Sequence, residues 1–351
     1  MEHSEKLIDL RSDTVTLPTQ EMWDAMYRAE VGDDCKGEDP TMNRLQALAA
    51  EMLGKEAALW VCSGTMGNLV CLKAQTQPGD QIILEPYSHA YYGEEGHIVT
   101  ISGLLPRCVK GHHGVLTPAD IRAAISSAPA SYSTLRLICI ENTHNRAGGN
   151  AWTVAETQAI REVADELGVG VHLDGARLFN AAVALEVDVR EFTRYVDTVT
   201  ICLSKGLSAP MGSIVAGSEE LVARVRQVRR MVGGCMRQTG IAGAAGIVAL
   251  TKMVGRLAED HANASRLREG LLTVERLGVE TPPIPTNLVF FDAAELGVMA
   301  KEFVEHLRTR GVLGVPFSAT RVRLTTHRHV TPQDVELAIE AVAATAHELR
   351  A

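Results

Sequence analysis

The sequence predicts an α/β protein: a mostly parallel central sheet covered by helices, with a smaller C-terminal α+β domain. Three observations predict it. Short, wholly apolar segments alternate with helical patterns over about the first 240 residues, as strands buried on both faces of a parallel sheet do. Beyond that point a long helical tract and a Pro282-Pro283-Ile284-Pro285 break lead into a separate α+β unit of about 100 residues. Finally, 351 residues with 46% apolar and 22% charged side chains suit one large and one small domain with a sizeable core.

In chain order, residues 41–53 carry Met42, Leu45, Leu48, Ala49 and Met52 at helical spacing, and Gly54 stops them. Residues 57–61 predict a strand, followed by a Gly64-Thr65 turn and a helix over about 66–75. Further strands are predicted at 81–84, 135–140, 170–173, 198–203 and 213–216. Residues 118–126 and 153–167 predict helices, the second opened by Thr153 and Glu156 at capping-box spacing. A helical tract runs from 240 to about 272, with strands at 287–291 and 321–325 and helices at 294–310 and 331–349 after it. The expected division is an arm at 1–17, a large domain at 18–250 and a small domain at 251–351.

With 34 Lys+Arg against 43 Asp+Glu, the net charge of −9 lacks the basic balance of a nucleic-acid binder. The seven cysteines (Cys35, Cys62, Cys71, Cys108, Cys139, Cys202 and Cys235) are widely spaced and include no CxxC pair. Neither a disulfide framework nor a zinc site is therefore expected, and reduced, mostly buried thiols of a cytoplasmic protein are. Residues 1–10 hold no signal-peptide core. The longest apolar stretch, 240–250, is about half a membrane span and rich in Gly and Ala, which predicts a buried helix and no membrane role.

Four strand ends carry candidate chemistry, as expected where ligands bind at the carboxyl ends of an open sheet. Asp174 follows an apolar strand in Val171-His172-Leu173-Asp174-Gly175-Ala176-Arg177; alone it would more simply cap the next helix. Lys205 closes another apolar strand and precedes Gly206; burial there would make it a nucleophilic amine, whereas most lysines are solvated surface groups. Cys62-Ser63-Gly64-Thr65-Met66-Gly67-Asn68 lies between strand and helix and could cradle a phosphate or form an ordinary cap. His144, in Glu141-Asn142-Thr143-His144-Asn145, could be a ligand, an acid/base or a satisfied structural histidine, the last being the default. Together a strand-end lysine, a carboxylate and a phosphate cradle are what pyridoxal phosphate requires. The step from Asp174 to Lys205 leaves room for a helix and the next strand, so neighbouring strand ends could face one cofactor.

At these residues the sequence resembles the L-threonine aldolases among the β-eliminating lyases, which are fold-type-I pyridoxal-phosphate enzymes. The matching stretches, in order, are Leu10-Arg11-Ser12-Asp13-Thr14-Val15-Thr16, ENTHN at 141–145, LDGAR at 173–177, SKGL at 204–207 and MRQTG at 236–240. The resemblance implies Lys205 as the Schiff-base lysine and Asp174 as the partner of the pyridine nitrogen. It implies His89 stacked on the cofactor ring and helping, as a catalytic residue, with proton transfer, and Gly64, Thr65 and Ser204 on the phosphate. Arg177, Ser12 and Arg323 would meet the substrate and its carboxylate, Arg177 also lying near the cofactor's phenolic oxygen. His144 would approach the substrate's β-hydroxyl. Arg230 and Arg237 would reach a neighbouring subunit's phosphate, implying at least a dimer and commonly a tetramer. The implied reaction is aldol cleavage of L-threonine, L-allo-threonine or related β-hydroxy-α-amino acids to glycine and an aldehyde.

Three places depart from the family pattern. Cys35-Lys36 stands where a small apolar residue and a substrate-side tyrosine are usual, Gly93-Glu94-Glu95-Gly96-His97 replaces an Ala-Gly-Gly-like run, and Cys235 replaces a glycine. With Lys36 on the substrate side, a larger or charged β-hydroxy amino acid would be preferred to threonine; neutral drift on the rim is the alternative. The rival readings are β-elimination, racemisation or transamination with the same lysine, and a non-catalytic protein of the same fold. A dinucleotide-dependent dehydrogenase would need a GxGxxG after a strand, which is missing.

Overall fold

A computed structural model describes residues 7–94, 96–126 and 133–350 of the chain. Residues 1–6 of the expected arm, Glu95 of the departing run and Ala351 of the expected small domain lie outside the described residues.

Thirteen strands occur among the described residues: β1 (Ile8–Asp9), β2 (Ala57–Val61), β3 (Gln81–Leu84), β4 (Leu105–Cys108), β5 (Leu135–Glu141), β6 (Gly170–Asp174), β7 (Thr198–Cys202), β8 (Ser213–Gly217), β9 (Gly278–Val279), β10 (Leu288–Asp292), β11 (Val312–Leu313), β12 (Val315–Pro316) and β13 (Arg321–Thr325). The large sheet has the order β2-β8-β7-β6-β5-β3-β4, and only β8 runs against the others. The predicted, mostly parallel architecture is therefore the observed one. β4 has no predicted counterpart, because Leu105-Pro106-Arg107-Cys108 is half-exposed and carries a proline, as edge strands tolerate.

The helices follow the predicted pattern with two breaks. Thr153 caps the Val154–Leu167 helix in a capping box with Glu156. The Gly240–Val248 helix is buried as expected, but the tract to Leu272 bends by 64° between Met253 and Leu257, where Gly255 interrupts it. The predicted 294–310 helix is likewise cut: a short turn ends at Gly297, whose φ of +75° stops it, and the helix proper is Ala300–Thr309. No single helix among the described residues is long and apolar enough to cross a membrane.

The apolar interior forms a main core around the large sheet, with Trp60 and Trp152 fully buried, and a second core around the small sheet β12-β13-β10-β9. Ile8 and Leu10 belong to the second core: β1 pairs with β11, and Leu10 accepts a hydrogen bond from the Thr325 amide. The N-terminal segment is thus stitched to the small unit before it crosses to the large one. Cys35 and Cys235 form a disulfide, their Cα atoms 5.8 Å apart across 200 residues of sequence. That corrects the expectation of unpaired cysteines; spacing along the chain carried no sign of a contact made by the fold. Of the free cysteines, Cys71, Cys139 and Cys202 are buried, while Cys62 is half-buried and Cys108 exposed.

Candidate active site

The parallel register brings the chemistry-bearing strand ends side by side. Glu141 at the end of β5 is level with Asp174 at the end of β6, and Asp174 is level with Thr200 of β7, beyond which the chain reaches Lys205. The Gly64–Gln75 helix points its N-terminus at the same edge, with Ser63 capping the Met66 amide. A Cβ at Gly64 would stand 2.8 Å from Cys202 Sγ, so glycine permits that close approach of helix and strand.

Asp174 is buried and held by hydrogen bonds rather than by a cation. Asn68 Nδ2 donates to Oδ2 at 2.8 Å and the Ala176 amide to Oδ1 at 3.1 Å. Asn68 Nδ2 also donates to Glu94 at 2.9 Å, which leaves its Oδ1 to accept from His172 Nε2 at 3.1 Å. Burial pushes the His172 pKa down to about 4, so it stays neutral in this role. Glu94 in turn takes His89 Nδ1 at 2.9 Å and His97 Nε2. That Glu94 bond, outweighing burial, raises the His89 pKa; burial pushes Glu94 up, but the two histidines hold it below its ordinary value. His89, Glu94 and Asp174 offer donor atoms within 4.8 Å of one another, but their oxygens are already engaged in this network.

On the other side of the cleft, Arg177 is buried and gives Asp13 a bidentate pair, with Nε and Nη2 each 2.7 Å from a carboxylate oxygen. Its Nη1 makes no hydrogen bond among the described residues. Burial pushes the Asp13 carboxyl up, yet the charge and hydrogen bonds of Arg177, together with Lys205, hold it well below the carboxylate range. Lys205 is half-buried, and its carbonyl accepts from Thr16 Oγ1 at 2.9 Å. Asn287, at the entry to β10, donates to Asp13 at 3.2 Å, so the small unit touches the same group. Arg323 on β13 donates to Asn145 Oδ1 and to the Arg11 carbonyl, each at 3.1 Å, while its buried Nε has no partner. Glu141 completes the link, accepting from the amides of His89 at 2.6 Å and Asn145 at 2.8 Å. His144 is buried, with Nε2 3.2 Å from Glu85 and Nδ1 unpartnered.

The structure thus gathers His89, Asp174, Arg177, Lys205, Arg323 and the 141–145 segment, with Gly64 and Thr65 at the near helix end. Ser12 caps the turn that presents Asp13, and Ser204 immediately precedes Lys205. Lys36, Arg230 and Arg237 are exposed elsewhere: Arg237 lies 3.5 Å from Asp33, and Lys36 ends the turn that contains Cys35. Their side chains make no contact with the Lys205–Asp174 group among the described residues. Asp13, Asn68, Glu94, Glu141 and Asn287 are the participants to which the sequence reading gave no role. All but Asn287 stand in stretches already singled out; Glu141 and Asn287 flank strands, whereas Asp13, Asn68 and Glu94 lie on or beside helical turns, where a polar residue gave no signal.

This arrangement fits pyridoxal phosphate. A carboxylate and a lysine stand on adjacent strand ends, and a free helix N-terminus is packed against the lysine's strand. Residues 9–294 match the β-eliminating lyase family. The chain belongs to that family. It is 42% identical over 333 residues to low-specificity L-threonine aldolase 1 of Arabidopsis thaliana, covering 93% of each chain. It is 38% identical over 330 residues to the low-specificity L-threonine aldolase of Escherichia coli K12, covering 94% of this chain and 96% of that one. Its fold superposes on the Leishmania major threonine aldolase with a TM-score of 0.82 at 19% identity, covering 97% and 99% of the two chains. The family match and these threonine aldolase relatives make the chain an enzyme of the lyase class.

Proposed function

We infer that this chain is a pyridoxal-phosphate-dependent aldolase that cleaves L-threonine, L-allo-threonine and related β-hydroxy-α-amino acids to glycine and an aldehyde. The observation that carries the reading is the pairing of Asp174 and Lys205 on neighbouring strand ends in a chain 42% identical to an L-threonine aldolase. Pyridoxal phosphate, when bound, supplies an electron-accepting ring for the pair released from the Cα–Cβ bond. Lys205 would hold the cofactor through its amine, and the Gly64 and Thr65 amides, with Ser204, would hold its phosphate. Asp174, fixed by Asn68, would keep a proton on the pyridine nitrogen. His89, its Nδ1 anchored to Glu94, would stack on the ring. Arg323 takes the substrate's α-carboxylate, its unpartnered Nε and fork geometry suiting a bidentate contact. Arg177, anchored by Asp13 through Nε and Nη2, would offer its Nη1 to the cofactor and substrate oxygens.

His144 removes the β-hydroxyl proton. Burial lowers its pKa, but Glu141 and Glu85 more than offset this, so the net shift is upward. A base with a raised pKa is free only at higher pH, so kcat/KM rises with pH through a midpoint above the ordinary histidine value. Arg230 and Arg237 are exposed, which suits donation to a neighbouring subunit of a homo-oligomer. Mixing inactive Lys205→Ala and Arg237→Ala proteins then restores part of the activity; no restoration means that each subunit works alone.

The deciding experiment incubates the purified, cofactor-loaded protein with L-threonine and L-allo-threonine and measures glycine and acetaldehyde. Equimolar release of the two supports the reading. Release of ammonia and an oxo acid, or of no product from any β-hydroxy-α-amino acid, overturns it.

A further inference from the structure

Five arginines gather where the small sheet meets the 141–147 segment, and their charges are not balanced alike. Arg11 pairs with Asp9 at 2.6 Å, Arg177 with Asp13 at 2.7 Å, and Arg321 with Glu280 at 2.6 and 2.9 Å. Arg323 and Arg146 have no carboxylate partner among the described residues. Both lie against one aromatic ring: the guanidinium carbon of Arg323 is 5.1 Å and that of Arg146 4.6 Å from the centre of Phe317. Arg146 is also 3.9 Å from the centre of Tyr92, three residues beyond His89. Burial and the charges of Arg177 and Arg146, only partly offset by Asp13, push the Arg323 pKa down to about 10, the mark of cations crowded with too little negative charge.

One substrate α-carboxylate neutralises one of these two guanidinium groups. The other is held flat by aromatic rings on both the large and the small unit, which limits the freedom it loses on binding. His144, Asn145 and Arg146 are consecutive. The first is the group assigned to the β-hydroxyl, and the second is hydrogen-bonded to Arg323. The third lies on the same short segment, and its guanidinium shares the Phe317 ring with that of Arg323.

We propose that Arg146 is a second anion subsite of the cleft, so that the substrates of this enzyme include β-hydroxy-α-amino acids whose side chain ends in a carboxylate. The α-carboxylate binds Arg323 and the distal carboxylate binds Arg146. The reaction is the same cleavage: the Cα–Cβ bond breaks, the β-hydroxyl proton leaves as the C=O bond forms, and a proton is added at Cα. The products are glycine and an aldehyde that carries a carboxylate. This inference rests on the aldolase reading above and adds a substrate class to it.

Two measurements on the cofactor-loaded protein test it. The first is kcat/KM for 3-hydroxyaspartate relative to threonine, in the parent and in Arg146→Gln. The second is the ratio of dissociation constants for aspartate and alanine, read from the cofactor's absorbance, since neither has a β-hydroxyl to cleave. In Arg146→Gln both preferences for the dicarboxylate fall about tenfold, the worth of one charged hydrogen-bonded contact, and Arg146→Lys recovers part of the loss. Ratios that stay within about twofold of the parent overturn the subsite, whatever the activity on threonine. If neither hydroxy amino acid is cleaved but the aspartate preference still depends on Arg146, the subsite stands and the aldolase reading fails. If Arg146→Gln does not fold, Arg146→Met and Arg146→Lys are measured in its place, with circular dichroism checking each variant.

Discussion

Around Asp174, the side chains of Asn68, His172, Glu94 and His89 form a continuous chain of hydrogen bonds, almost all of it buried. Around Phe317, two guanidinium groups have no ion-paired carboxylate among the described residues. The first cluster is complete before any ligand arrives, and buried polar networks of that kind fix positions. The second is left short of negative charge, which leaves electrostatic work for a ligand to do. Pre-organisation therefore belongs to the cofactor side of the cleft and selectivity to the substrate side. Mutations should separate the two, costing stability on one side and turnover on the other.

Lys205→Ala tests the functional side most severely: turnover is lost and the protein no longer develops a visible absorbance band on adding pyridoxal phosphate, while its fold is retained. His144→Gln lowers kcat by roughly 10²–10⁴-fold, as expected for loss of a general base. Asp13→Ala strikes a buried pair that spans both sides, stranding the Arg177 charge, and chemical denaturation should show a loss of about 3–5 kcal/mol. Asn68→Ala breaks the complete network and costs about 1–3 kcal/mol, leaving buried oxygens of Asp174 and Glu94 short of a donor. Arg323→Gln sharpens the contrast, because it removes a buried cation that has no counter-ion: KM for amino acids rises while the melting temperature is unchanged or higher. A retained KM, or a stability loss like that of Asn68→Ala, would erase the distinction.

The smallest expected effect is on acid stability. Asp13 and Glu94 are both held below their ordinary values of 3.8 and 4.5 in the folded protein. A depressed carboxyl contributes stability above its unfolded pKa and loses it as pH falls through the folded one. The apoprotein should therefore hold its melting temperature down to about pH 4.5 and lose it progressively below, with Glu94→Gln flattening part of that fall.

Legibility in the sequence followed the length scale of the interaction. Largely apolar runs gave β5, β6 and β7, because a strand buried on both faces needs few polar side chains. The Thr153 capping box was readable because it closes within three residues. Gly255 and Gly297 break their helices in the structure, although the apolar pattern runs through both positions. Lys205 and Asp174 were recognisable as a pair only because each ends an apolar strand.

By itself the sequence determined the parallel sheet, the smaller unit after it, and the lysine, carboxylate and glycine turn that a cofactor of this kind needs. Only the tertiary structure decided that Asp13 anchors Arg177, that Asn68 and Glu94 tie Asp174 to His89, and that Cys35 meets Cys235. It also decided that Arg146 and Arg323 share one ring, neither ion-paired with a carboxylate among the described residues. The reason is physical. Periodicity and caps are local and are written into neighbouring residues, whereas a buried charge finds its partner through space, where separation along the chain carries no information.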